Sequence, residues 1–332
     1  MNIGQFGSFR LSRFKWSDHS TGLGFILLFV LGFILSWVAQ GFRGVPIFIT
    51  PNNLLMVLRQ VSYTGIIALG MTLIIISGGI DLSVGSMMAF VGGIAVFLLK
   101  QFPVNSLSGV FITLIFALVF GSICGFVNGF MITKGRIAPF IATLGTMAIF
   151  RSLILYFSKA ANIESSNTEF IKFGPAHILG ISLPVWVFLV LAVVLHLLLN
   201  NTRFGRYVCA VGANEQVARY SAINVQLIKL IPYIITGFTV AVSSMLWGSR
   251  INGIQPSQVG SGYELDAIAA VVIGGTAMSG GKGTIIGTVL GAIMLGMINN
   301  MLVLGGVSSF LQQAARGLVI IVAVLLQYNS NK

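Results

Sequence analysis

Long apolar runs alternate with short polar or glycine-rich breaks along the whole chain. The pattern predicts ten helices, over residues 22–42, 54–77, 82–99, 109–133, 140–157, 183–199, 230–250, 265–278, 284–304 and 309–326. Most are long enough to cross a hydrocarbon core of about 30 Å at about 1.5 Å per residue. The eighth is short for a span, and the third and ninth open with glycine-rich turns. A helix satisfies its own backbone hydrogen bonds, which lipid cannot do. Segments of about ten residues with strict alternation, as in an outer-membrane barrel, do not occur. The expected fold class is therefore all-α: a polytopic membrane protein with about ten transmembrane helices, some of them broken.

Composition sharpens this. The 332 residues are 56% hydrophobic and 8% charged, against about 25% charged in a soluble domain. A net charge of +12 on a soluble protein would suggest nucleic acid. Here the basic residues lie mostly between apolar runs, without interleaved aromatics, so nucleic acid is not an expected partner. If the N-terminus is cytoplasmic, the cytoplasmic segments hold Arg10, Arg13, Lys15, Lys134, Arg136, Arg203, Arg206, Arg219, Lys229, Lys282 and Lys332. The outer segments hold Arg43, Lys100, Lys159, Lys172 and Arg250. Eleven against five agrees with the positive-inside rule. Both termini are then cytoplasmic, with residues 1–21 a tail, 22–332 one transmembrane domain and 200–229 a cytoplasmic loop. Arg59 and Arg151 lie near outer ends of spans and can snorkel; Arg316 is deeper and should face protein. The first apolar run is too long for a cleaved signal and reads as an uncleaved helix. Cys124 and Cys209 fall in a span and in the cytoplasmic loop, so no disulfide framework is expected. His19, His177 and His196 have no metal spacing. No group of residues could activate a nucleophile or hold a cofactor, and no catalytic residue is expected.

The stretch "IISGGIDLSVGSMM" at residues 75–88 places one of only seven carboxylates between two apolar runs. Gly78, Gly79, Ser83 and Gly85 recur 196 residues later as Gly274, Gly275, Ser279 and Gly281. The recurrence reads either as chance in a glycine-rich chain or as a duplicated half, common in transporters. The second copy, "GGTAMSGGKGT", is not a phosphate loop: Gly283 follows Lys282 where Ser or Thr is needed, and no strand precedes it. Both breaks fit either tight helix packing or a broken, pathway-lining segment. Asp81 fits an N-cap on the third helix, with Ser83 sharing that role, or a polar pathway element; the two are compatible. Glu264 and Asp266 open the eighth helix, where they complement its dipole or meet a partner or a buried Arg.

In the loop "NTRFGRYVCAVGANEQVARYSAIN", Gly205 and Gly212 mark turns and Asn214 is a good N-cap. The following residues can form two turns that bring Val217, Ala218, Tyr220 and Ser221 together, with Glu215 and Arg219 as i,i+4 partners. Such a helix could float at the membrane interface or fit a groove on a cytoplasmic partner.

With these residues in view, the chain resembles permeases of ribose-type sugar ABC importers, within the wider group that includes branched-chain amino acid permeases. The resemblance runs from about residue 50 and is carried by "GMTLIIISGGIDLSVGS", "IAPFIATLGTMAIFR", "TRFGRYVCAVGANEQVARYSAINV" and "GYELDAIAAVVIGGTAMSGGKGTIIGTVLGAI". It implies a bacterial inner-membrane subunit that pairs with a second permease copy and forms the sugar pathway. A cytoplasmic ATPase, with two fused cassettes, would use ATP and Mg. An extracytoplasmic sugar-binding protein would deliver the cargo. Gly78, Gly79, Asp81, Ser83, Gly85, Gly274, Gly275, Ser279 and Gly281 would line or gate the pathway. Gly205, Arg206, Gly212, Asn214, Glu215, Ala218, Arg219 and Tyr220 would couple it to the ATPase, with Ala218 at the contact. Ala222 departs from the glycine usual at that position. Ribose is the first expectation; other pentoses, hexoses, inositol and a signalling sugar remain alternatives. So does a branched-chain amino acid. A secondary sugar transporter would not need the coupling helix.

Overall fold

The computed structural model describes residues 16–39 and 46–308, with scattered positions between 311 and 321. The predicted tenth helix lies largely outside the described residues, as do residues 1–15, Arg43, Arg316 and Lys332. The helices are α1 (Trp16–Ala39), α2 (Pro51–Ile76), α3 (Val84–Leu99), α4 (Leu107–Thr133), α5 (Pro139–Ser158), α6 (Thr168–Phe173), α7 (Leu183–Asn201), α8 (Arg203–Ala213), α9 (Glu215–Tyr220), α10 (Val225–Arg250), α11 (Tyr263–Ile273) and α12 (Ile285–Leu304). Two short antiparallel ladders tie the connections: β1 (Ile163–Glu164) pairs with β4 (Gly253–Ile254), and β2 (His177–Ile178) with β3 (Ile181–Ser182).

Local chemistry sets the helix starts. Proline occupies the first turn of α2, α5 and α7, where its missing N–H costs nothing. Ser106, Thr202 and Thr284 cap α4, α8 and α12 by accepting from Gly109, Gly205 and Gly287 N–H.

Among the described residues, six helices are long and apolar enough to cross a membrane: α2, α4, α5, α7, α10 and α12. The sequence suggested about ten spans. Two of the four missing spans are short helices; the other two are the first helix, described only in part, and the tenth, which lies largely outside the described residues. With 16 residues, α3 extends only about 24 Å, and α11, with 11 residues, only about 16 Å. Both are largely buried in protein, so neither faces lipid alone.

The body is built around α2 and α10. Helix α10 lies along α4, where Gly121 and Gly125 meet Gly237 and Tyr233 with no room for a Cβ on any of the three glycines. Small residues at four-residue spacing let helix backbones approach in this way. Deep polar side chains bond back to carbonyls; Ser243 Oγ, for example, donates to Tyr63 O at 2.8 Å and Ser244 Oγ to Met88 O at 2.6 Å.

Candidate functional site: a glycine junction

Both glycine breaks follow a helix end of the same design. After α2, Gly78 turns left-handed (φ 80°), and the N–H groups of Gly78 and Gly79 bond to Ile75 O and Ile74 O, each at 2.9 Å. After α11, Gly275 turns left-handed (φ 86°); its N–H bonds to Val272 O at 2.9 Å, and Thr276 N–H to Val271 O at 3.1 Å. Each is a Schellman motif, which needs a residue at positive φ just past the helix. The structural register therefore pairs Ser77 with Gly274 and Gly78 with Gly275. It is one residue off the match of Gly78 with Gly274 and Gly79 with Gly275 that the letters give. The match also ends there. Ser83 is buried just before α3, whereas Ser279 is exposed in mid-loop and Thr284 caps α12. Gly85 lies in the first turn of α3, where a Cβ would strike Gly260 O, while Gly281 is a loop residue at φ 79°.

Asp81 is fully buried. Its Oδ1 accepts from Ser83 N–H at 2.8 Å and from Ser83 Oγ–H at 2.6 Å. Asn128 Nδ2 donates to Asp81 Oδ2 at 3.3 Å and to Ser83 Oγ at 2.8 Å. Tyr233 donates to Ile80 O at 3.2 Å. The helix opens at Val84 with Ser83 in the N-cap position but without a cap bond from its side chain, so the N-cap position of Asp81 is corrected while its backbone N–H bond at the helix start stands. Asp81 closes an Asx turn just upstream and ties the break to α4.

The loop before α10 is more helical than its glycines suggested. Gly205 and Gly212 are not turns; both lie in α8. Each marks a close approach. A Cβ on Gly205 would lie 1.8 Å from Leu199 O, and one on Gly212 would lie 1.7 Å from Ile76 O and 2.6 Å from Gly281 N. Gly281 N–H itself donates to Ile76 O at 2.8 Å. The end of α2, the end of α8 and the second glycine break thus meet backbone to backbone. Beside them a cavity of about 570 Å³ is bordered by Gly78, Gly79, Arg136, Glu215, Lys229 and Tyr233.

Asn214 caps α9, accepting from Gln216 N–H at 3.0 Å and Val217 N–H at 3.1 Å, as expected. Glu215 bonds Arg219 at 3.1 Å and Lys229 at 2.5 Å. The Lys229 hydrogen bond leads in holding the Glu215 carboxyl below the usual glutamate range. Ala218 is 3% exposed and faces the body, not outward; Val217 (58%) and Tyr220 (89%) form the free face. Arg206 is exposed on α8. Helix α9 ends in a third Schellman motif, with Ala222 itself at φ 60° and Ile223 N–H bonded to Ala218 O at 3.1 Å.

Sequence reading missed Arg151. Rather than snorkelling, it donates to the carbonyls of Pro256 and Val259. It thereby holds the connection from α10 to α11 against the start of α3, where Gly260 O meets Gly85. The signal was the polar, Gly/Pro/Ser-rich stretch before a half-length helix, too long for a simple turn.

A family profile described as "Branched-chain amino acid transport system / permease component" matches residues 53–324. The ribose import permease protein RbsC of Escherichia coli is 42% identical over 285 residues, 85% of this chain and 87% of that one. The RbsC of Bacillus subtilis is 42% identical over 304 residues, 91% of each chain. The D-allose transport system permease protein AlsC of Escherichia coli is 36% identical over 283 residues, 84% of each. The helical membrane architecture and these matches agree: the chain belongs to the permease components of ABC importers, in the ribose-type branch of the branched-chain amino acid and sugar permease family, and is not itself an enzyme.

Proposed function

We propose that the chain carries a monosaccharide, ribose first, into the cytoplasm of a bacterium as one half of a homodimeric pathway in the inner membrane. Both termini face the cytoplasm. An ATPase with two fused cassettes docks on α8 and α9 and consumes ATP and Mg, and a binding protein delivers the sugar outside. The names of the relatives support the cargo, and the basic asymmetry supports the orientation. The observation that carries the coupling is the junction, where Gly212 rests on Ile76 O and Gly281 N. A push on α9 would reach both glycine breaks through backbone contacts. Ala218 acts by seating α9 on the body, while Val217 and Tyr220 meet the ATPase.

The test is ATP-dependent uptake of labelled D-ribose by proteoliposomes holding the chain, its ATPase and its binding protein. Val217→Asp and Tyr220→Asp alter exposed positions, so membrane levels should hold. Sugar-stimulated hydrolysis and uptake should fall together by about tenfold or more, the effect of losing a contact of about 2 kcal/mol. Uptake that persists without the ATPase would favour a secondary transporter. Normal uptake in both variants would remove α9 from the coupling role.

A further inference from the structure

We propose that the cavity beside α9 binds the phosphate of an anionic phospholipid from the cytoplasmic leaflet. The cavity is about 570 Å³, within the ~300–1,000 Å³ of ligand pockets. Its polar rim is basic: Arg136 comes from the turn between α4 and α5, Arg219 from α9 and Lys229 from α10, against one carboxylate, Glu215. Three cations and one anion leave an excess of positive charge. Glu215 accepts from both Arg219 and Lys229, but a guanidinium and an ammonium each carry further donors, so both can serve a second acceptor. Arg136 has no ion pair among the described residues. It stands at φ 55° in the Schellman turn that ends α4, with Ile137 N–H bonded to Met131 O at 3.3 Å. Glycine fits such a position with least strain, yet the glycine of this turn is one place earlier, at Gly135. The first turn of α5 adds donors. Ala138 at its N-cap offers no side-chain bond, and Ala138 and Pro139 both border the cavity, so N–H groups that favour an anion lie close by.

The remaining wall selects a lipid over a soluble phosphate. Ile132, Ile137, Pro139 and Val225 make it apolar. Ile137 is itself exposed, and Phe140, Ile141 and Leu144 continue an exposed apolar surface along α5. A headgroup phosphate among the cations leaves its acyl chains against a surface suited to hydrocarbon. A soluble anion would use the cations alone. The basic residues belong to segments placed on the cytoplasmic side, where basic pockets between membrane helices take anionic headgroups. A phosphate held there bridges α9, α10 and the α4–α5 turn, beside Gly78 and Gly79, which also line the cavity. The inference rests on the orientation proposed above and adds a lipid ligand next to the coupling segment.

The experiment takes the assembled importer in detergent, adds dioleoyl phosphatidylglycerol or zwitterionic dioleoyl phosphatidylcholine, and measures bound lipid by native mass spectrometry. The native protein should hold phosphatidylglycerol about tenfold more tightly than phosphatidylcholine. Arg136→Gln alters an exposed side chain without an ion pair, so folding should hold while that preference falls about tenfold, the effect of losing a charged hydrogen bond. Arg136→Lys, which keeps the charge, should retain part of it. Lys134→Gln, outside the cavity lining, should leave it unchanged. An equal loss from Lys134→Gln would mean diffuse attraction to a basic surface and overturns the proposal. Equal binding of the two lipids overturns it too, as does displacement of phosphatidylglycerol by inorganic phosphate or glycerol 3-phosphate, the mark of a soluble-anion site. Lipid that binds the permease alone but leaves when the ATPase is added would assign the cavity to the ATPase, and again overturns it. Binding in detergent depends neither on orientation nor on transport. An importer that binds the lipid but imports no sugar therefore brings down the transport reading alone; one that imports ribose but holds no anionic lipid loses only this site.

Discussion

The two glycine breaks start alike and end differently. Residues 77–83 return the chain in seven positions, with Asp81 and Ser83 buried and bonded to Asn128. Residues 274–284 take eleven positions, with Ser279 and Lys282 exposed, and lean on α8 through Gly281 and Ala213. The first break is fixed by a hydrogen-bond network that leaves its carboxylate nothing further to contact. The second is held by backbone proximity to α8, the helix just before α9. One break is thus held by side chains and the other by backbone contacts, and the asymmetry lies in the loops, not in the helix ends.

The largest expected effect breaks the second contact. Gly212→Ala gains about 1 kcal/mol of helix propensity, but its Cβ would meet backbone atoms of Ile76 and Gly281, and backbone cannot rotate away. Overpacking of this kind costs about 3 kcal/mol or more. Thermal unfolding in detergent should show a clear loss, and uptake should vanish; a tolerated alanine would mean that α8 does not sit on α2. Next comes the first break. Asp81→Leu leaves the Ser83 N–H and the Ser83 hydroxyl without their acceptor and the Asn128 amide with Ser83 Oγ alone, a loss of about 3 kcal/mol. Asp81→Asn keeps Oδ1 for Ser83 but turns an amide toward Asn128, for about 1 kcal/mol. Unfolding midpoints of the two variants should rank in that order. Uptake abolished by Asn at normal protein levels would show that the charge itself matters.

The smaller effects sharpen the picture at α9. A left-handed alanine costs about 1–2 kcal/mol, partly offset because glycine is more costly to order. Ala222→Gly should therefore stabilise the chain by about 0.5–1 kcal/mol, read as a rise in the unfolding midpoint. Smallest is the Glu215 ion pair, worth under about 1 kcal/mol at its exposure. Its folded pKa is depressed, so its contribution is complete above the ordinary glutamate value and fades as pH falls through the lowered one. Amide protection factors over residues 216–220, exchange rates taken relative to the intrinsic rate at each pH, should fall on that acidification, and Glu215→Gln should lower them at neutral pH.

Much of this was legible in the sequence. The double glycines announced helix ends, Asn214 announced a cap, and the letters of 78–85 and 274–281, open between chance and duplication, pointed to two helix ends of one design. The register was off by one because identical letters were aligned, while the fold aligns the first left-handed residue. Asp81 was given the right bond, a backbone N–H accepted at the start of the third helix, but the helix opens two residues later than the letters suggested, at Val84. Gly205 and Gly212 were read as punctuation because glycine usually breaks helices; here it admits a neighbouring backbone, which depends on a partner far away in sequence. A six-residue helix has no periodicity long enough to tell its inner face from its outer one, so Ala218 was turned the wrong way. The partners of Arg151 were illegible because they lie more than a hundred residues away in the chain.

The central claim is that α8 and the second glycine break form one joint. A Cβ at Gly281 would lie 2.9 Å from Ala213 Cβ, close to the ~3.5–4.5 Å that a disulfide spans. The decisive measurement is therefore oxidative trapping of Ala213→Cys with Gly281→Cys, in a chain whose Cys124 and Cys209 are replaced, followed by sugar uptake before and after reduction. The account predicts rapid cross-linking in the paired variant, none in either single variant, and uptake already reduced by Gly281→Cys alone, whose Cβ crowds the Ala213 backbone, with a further loss on oxidation that reductant reverses. A pair that does not cross-link, or a cross-linked chain that transports at the full rate, would contradict it.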